Sequence, residues 1–152
     1  MNRTTQNLKT IFERDISTLK KELSLYENEA DLWLVQGEIT NSAGNLFLHL
    51  CGNLKHFIGA VLGDSGYVRE RDREFSDKNV SRADIETNID ETLAIVSQTL
   101  ANLDPARLDE DYPQRLFQGK AFNTELFLMH LSGHLMYHLG QINYHRRLLT
   151  AK

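Results

Sequence analysis

Apolar residues recur at three- and four-residue steps in four separate stretches of the 152-residue chain. That is the period of a helix burying one stripe. In residues 5–28, Leu8, Ile11, Phe12, Ile16, Leu19 and Leu23 share a face, while Glu13, Lys20, Lys21 and Glu22 fall mostly elsewhere. In residues 41–62 the helical spacing holds for Leu46, His49, Leu50, Asn53, Leu54, Phe57, Ile58 and Val61. This second stretch is apolar around much of its circumference and is expected to be largely buried. Thr40, Asn41 or Ser42 can cap its start, and Gly63 can end it. The third stretch begins at Ser81, where "SRAD" resembles a capping box with Asp84 in the acidic position. Ile85, Ile89, Leu93, Val96, Leu100 and Leu103 then mark one face as far as Pro105. The fourth runs from residue 123 or 124 to 149, packing through Phe127, Leu131, Leu135, Leu139, Ile142 and Leu148.

Both prolines, Pro105 and Pro113, fall between the third and fourth stretches. The connections 29–39, 64–80 and 104–122 exceed the roughly two to eight residues usual between bundle helices. They permit crossovers and can wall a site. The pattern predicts an all-α fold, a four-helix bundle with long connections, formed by one domain over residues 1–152.

Composition narrows the function. A net charge of -4 argues against a general nucleic-acid binder. The single cysteine, Cys51, excludes an internal disulfide and fits a reducing, cytoplasmic location. The N-terminus lacks the apolar run of a signal peptide, and no stretch is expected to reach the ~20 apolar residues of a membrane span. Neither nucleic acid nor membrane is therefore an expected partner.

Four of the six histidines lie in "HLSGHLMYHLGQINYH", residues 130–145. At ~100° per residue, His130, His134 and His138 step ~40° apart along one helix, and Gln141 and His145 return to that sector. Imidazoles four apart can aim at one ion. A third ligand has to come from a facing helix, and the second stretch offers His49 or His56. Three imidazoles from two helices would leave positions on the ion open to water or substrate, as catalytic sites do. The alternative is that these histidines only pack or pair. A zincin protease does not fit, because "HLMYH" has Leu135 where that motif needs glutamate. Cys51 points away from His49 and reads as a small core residue.

Two stretches, "NSAGNLFLHLCGNLKHF" and "HLMYHLGQI", resemble the second- and fourth-helix motifs of the DinB-like superfamily of metal-binding four-helix bundles. "RERDREF" is similar to the connection of one uncharacterised subfamily. The resemblance covers most of the chain. It implies up-down-down-up topology, a homodimer, and His49, His134 and His138 as metal ligands, leaving His56, His130 and His145 outside the triad. Gln141 and Gly140 match the motif's Gly-Gln pair, and Gly140 would permit close backbone approach or a bend.

Relatives in that superfamily include thiol-dependent transferases and isomerases. The resemblance therefore implies a divalent ion (zinc or nickel, with iron or manganese as alternatives), a low-molecular-weight thiol and an electrophilic small-molecule substrate. A doubly positive ion on neutral imidazoles favours the anion of a thiol or water. Metal-dependent S-transfer is the first reading, ahead of hydrolysis. A non-catalytic metal-binding or stress-response protein, or a structural homodimer with a degenerate site, stands beside it. No catalytic residue is assigned. Tyr137 and Tyr144 are weak hydroxyl candidates. Arg69, Arg71 and Arg73 would serve a thiol's carboxylates only if their loop covers the pocket. Their alternation with Glu70, Asp72 and Glu74 reads more simply as a solvated, self-paired run.

Overall fold

The computed structural model describes residues 1–150, which contain five α-helices. These are α1 (Arg3–Ser24), α2 (Ala43–Gly63), α3 (Arg71–Ser76), α4 (Arg82–Asn102) and α5 (Thr124–Leu149). Short 3-10 turns at Glu29–Trp33 and Pro105–Leu108 shape two of the connections. The four amphipathic stretches are the four long helices. Helix α3 falls outside the periodic pattern, because its six residues are rich in charge and carry no apolar stripe.

Capping follows side-chain chemistry. The Ser42 hydroxyl accepts the Asn45 amide at the start of α2, Ser81 accepts the Asp84 amide at α4, and Asn123 accepts the Leu126 amide at α5. Each satisfies one of the orphan donors of a first helical turn. Ser81 also donates its hydroxyl to the Asp84 carboxylate, 2.8 Å away.

Helix α2 is not uniform. Lys55–Ala60 forms a π-helical segment between α-helical Ala43–Leu54 and Val61–Gly63. The regular ~100° step of an α-helix, which would bring His56 back near the His49 side after seven residues, therefore does not hold across that segment. By length and composition Ala43–Gly63 is apolar enough to cross a membrane, contrary to expectation, but most of it is buried within the fold. It is the core helix that its all-round apolar pattern predicts.

Helices α1 and α2 each pack against both α4 and α5. One continuous core joins Phe12, Ile16 and Leu19 of α1 with Leu50, Leu54 and Ile58 of α2, Ile85 and Val96 of α4, and Leu131 and Leu135 of α5. Cys51 lies in that core, and burial pushes its thiol up to about 11, well away from nucleophilic use. The α2–α5 contact brings the two histidine-bearing helices together, and α3 closes over the outer side of α2.

Candidate metal centre

His49 stands in the middle of α2, and His134 and His138 stand one turn apart on α5. One ring nitrogen of each lies within 4.8 Å of the others. The three rings pack edge to face, with centroids 5.0 Å apart for His49–His134, 5.2 Å for His49–His138 and 4.6 Å for His134–His138. Nε2 of His49 is 3.2 Å from Nε2 of His134. Two nitrogens each bound at ~2.0–2.1 Å to one ion would lie about 3–3.5 Å apart, so this pair already has a ligand-like separation.

The partners of the outer nitrogens assign the tautomers. Nδ1 of His49 faces Oε1 of Glu74 at 3.0 Å, and Nδ1 of His138 faces Oε1 of Gln141 at 2.7 Å. Both acceptors are oxygens, so each Nδ1 carries the hydrogen and each Nε2 keeps its lone pair. Nε2–H of His134 then donates to His49, leaving the buried Nδ1 of His134 without a protein partner. Moving that hydrogen from Nε2 to Nδ1 of His134, the other neutral tautomer, would let all three rings present Nε2 lone pairs to a cation.

Electrostatics favour the neutral rings that ligation requires. Burial, then the nearby His138, His49 and His130 and the Arg69 guanidinium, lower His134 to about 3. Burial also lowers His138, against an opposing hydrogen bond from Gln141. Burial would raise Glu74, but hydrogen bonds from Arg69 and His49 outweigh it and hold the carboxyl below its ordinary range. By donor type, separation and protonation, the trio fits a divalent ion that accepts imidazole.

Residues 2–152 match the family described as "Protein of unknown function (DUF1572)". The chain belongs to the DUF1572 family. No curated protein matches it.

The other histidines of this DUF1572 chain do different work. His130 is exposed, with its ring 6.4 Å from that of His134 and 4.8 Å from that of Phe117. His56, within the π-helical segment, faces Gln114 at 3.4 Å. His145 is buried: its Nδ1 accepts the Tyr26 hydroxyl at 2.8 Å, and its Nε2–H donates to the Leu34 carbonyl at 2.9 Å. It ties α5 to the end of α1 and to the α1–α2 connection.

The charged run behaves in two ways. Arg73 pairs with Glu70 and Asp77 at the surface, as expected of a solvated run, and Arg71 lies over the Phe75 ring. Arg69 and Glu74 instead turn inward and form a bidentate pair with both contacts at 2.8 Å. Sequence reasoning missed Glu74 as a partner of His49, because nothing in an alternating run marks one carboxylate as buried. The available hint was Gly52, three residues after His49, a missing side chain on the histidine-bearing side of α2.

Of the two tyrosines, Tyr137 has its ring 5.2 Å from that of His138, whereas Tyr144 lines a separate cavity with Leu46, Gln141 and Leu148. No backbone approaches Gly140, where an added Cβ would meet open space. Of the two roles open to Gly140, close backbone approach within the chain is therefore not the one realised: α5 turns that side away from the rest of the described residues.

Proposed function

We propose that the protein is a metal-dependent enzyme in which His49, His134 and His138 hold one divalent ion, zinc or nickel ahead of iron or manganese. The reaction we favour is S-conjugation: a low-molecular-weight thiol, giving up its proton, bonds through sulfur to the electrophilic atom of a small molecule, whose leaving group departs with the electron pair. One observation supports the reading above the rest: ligand nitrogens from two helices approach within 4.8 Å. The ion would supply Lewis acidity that favours a thiol's anion. The chain's own contribution is orientation and exclusion of water. His49 is buried under the Phe75 ring, 4.9 Å away, while Gln141 holds the plane of His138.

The DinB-like architecture with up-down-down-up topology, and a homodimer, belong to the same proposal. Leu126, Met129, Met136, Tyr144 and Leu148 leave an exposed apolar stripe along α5 for a second copy, with Gly133 and Gly140 open between them. Light scattering of the purified protein tests the dimer; a monomer that persists at high concentration refutes it.

A non-catalytic metal-binding protein is the second reading. It is favoured by Glu74, the carboxylate that contacts the trio, being engaged by both Arg69 and His49 and so withheld from proton transfer. Metal analysis followed by turnover of a generic electrophile with a panel of thiols decides between them. Metal near one per chain with thiol-dependent turnover is expected for the enzyme. Full metal without turnover selects the binding protein, and no metal in any preparation removes both.

A further inference from the structure

We infer that Glu74 is a positioning residue for His49, held by Arg69 and admitted by Gly52, and that it fixes the tautomer that turns Nε2 of His49 toward His134 and His138. The inference rests on the metal-site reading for its purpose, but its geometry is independent of that reading.

Glu74 is 6% exposed, which would be costly for a carboxylate without partners. Its Oε1 accepts from Nδ1 of His49 at 3.0 Å and from Arg69 at 2.8 Å, and its Oε2 accepts from Nε of Arg69 at 2.8 Å. Arg69 compensates the buried charge, and the second lone pair of Oε1 is left for the histidine. An imidazole whose Nδ1–H is donated to a carboxylate has only Nε2 to offer a cation, in a fixed ring orientation.

The surrounding residues keep the carboxylate there. A Cβ at position 52 would lie 2.0 Å from Oε2 of Glu74, so any side chain at that position displaces the carboxylate. Asn45, one turn before His49, donates its amide to the backbone carbonyls of Glu74 and Asp77 at 2.9 and 2.8 Å. Asn45, His49 and Gly52 are spaced four and three residues apart, on one face of α2. Each meets the α3 segment in a different way: as a clamp, as the positioned ring and as the clearance. The "RERDREF" stretch thus supplies an outer shell to the histidines.

The test uses the full chain. Nitrogen-15 NMR of metal-free protein reads the His49 tautomer, and chelator competition with zinc reads affinity. Wild type is expected to show His49 protonated on Nδ1. In Glu74→Gln the charge is lost and one oxygen becomes an NH2 donor, which must face either Nε–H of Arg69 or Nδ1–H of His49, both themselves donors. His49 should become a tautomer mixture, with zinc affinity falling roughly 10–100-fold, the usual cost of an outer-shell change. Gly52→Ala should reproduce that fall. In a Glu74→Ala background Gly52→Ala should add nothing, since the displaced group is gone. An unchanged tautomer and an affinity within about twofold of wild type in Glu74→Gln would overturn the inference. Should that variant lose its native helical spectrum, Glu74→Asp, which keeps the charge but shortens the reach, gives the same readouts with the same expected direction. If wild type takes up no zinc, the metal reading fails on its own and the tautomer decides. Loss of the Nδ1–H form in Glu74→Gln upholds the positioning role, and its retention refutes it.

Discussion

Nε2 of His49 lies 3.2 Å from Nε2 of His134, although 85 residues separate them in the chain. The contact exists because α2 and α5 pack against each other with their histidines at the same level. It places two imidazoles at a separation that one shared proton or one shared cation can bridge.

Removal of a ligand should cost more than removal of a bystander. His49→Ala, His134→Ala or His138→Ala is expected to lower zinc affinity by more than the roughly 10–100-fold of an outer-shell change. His56→Ala and His130→Ala should keep near-normal metal content, measured as zinc per chain after gel filtration. A site emptied by His130→Ala would mean that the ligand pair on α5 is His130 and His134.

Acid should weaken the metal-free protein through its buried imidazoles. His134, His138 and His145 all have folded-state pKa values lowered by burial, to about 3 for His134. The unfolded chain, titrating at ~6.5, binds protons first. Stability is then fully present above ~6.5 and declines as pH falls from there toward about 3. The lowered Glu74 adds a loss of the same sign below its unfolded pKa of ~4.3. Urea unfolding across this range should give a falling midpoint. A flat profile between pH 7 and 5, about the upper half of the imidazole window, would show that these rings are not buried in solution.

The Tyr26–His145 bond offers a test of the fold alone. Tyr26 is fully buried, and its hydroxyl donates to Nδ1 of His145. Tyr26→Phe leaves that nitrogen buried without its partner and should cost about 1–3 kcal/mol in urea unfolding. Zinc content should stay at the wild-type level, because His145 lies outside the trio.

Trp33 packs against the backbone at the start of α2, where a Cβ on Gly44 would come within 2.7 Å of its ring. Gly44→Ala must push the indole aside and should destabilise by about 1–3 kcal/mol, the range for overpacking. Trp33 is the chain's only tryptophan, so its fluorescence reports the displacement directly.

Much of this was legible in the chain itself. The stripes Leu8–Phe12–Ile16–Leu19 and Phe127–Leu131–Leu135–Leu139–Ile142 repeat at the helical period and become buried faces. Ser42, Ser81 and Asn123 cap where their short polar side chains predict. These features depend on residues three or four apart, which a helix brings together whatever the rest of the molecule does. The four-residue step of His134 and His138 belongs to the same local class.

Packing between helices decided the rest. The same step serves His130–His134 and His134–His138 equally well, and His49 and His56 are both on α2. Only the α2–α5 contact, with a π-helical turn at Lys55–Ala60, selects His49, His134 and His138. Likewise the run from Arg69 to Glu74 contains four acidic or basic residues besides that pair, and periodicity cannot rank them. Which carboxylate turns inward was set by the space that Gly52 leaves on a neighbouring helix. Helical period is a property of the nearest turns, whereas convergence on one point depends on how side chains from distant turns fill a common volume.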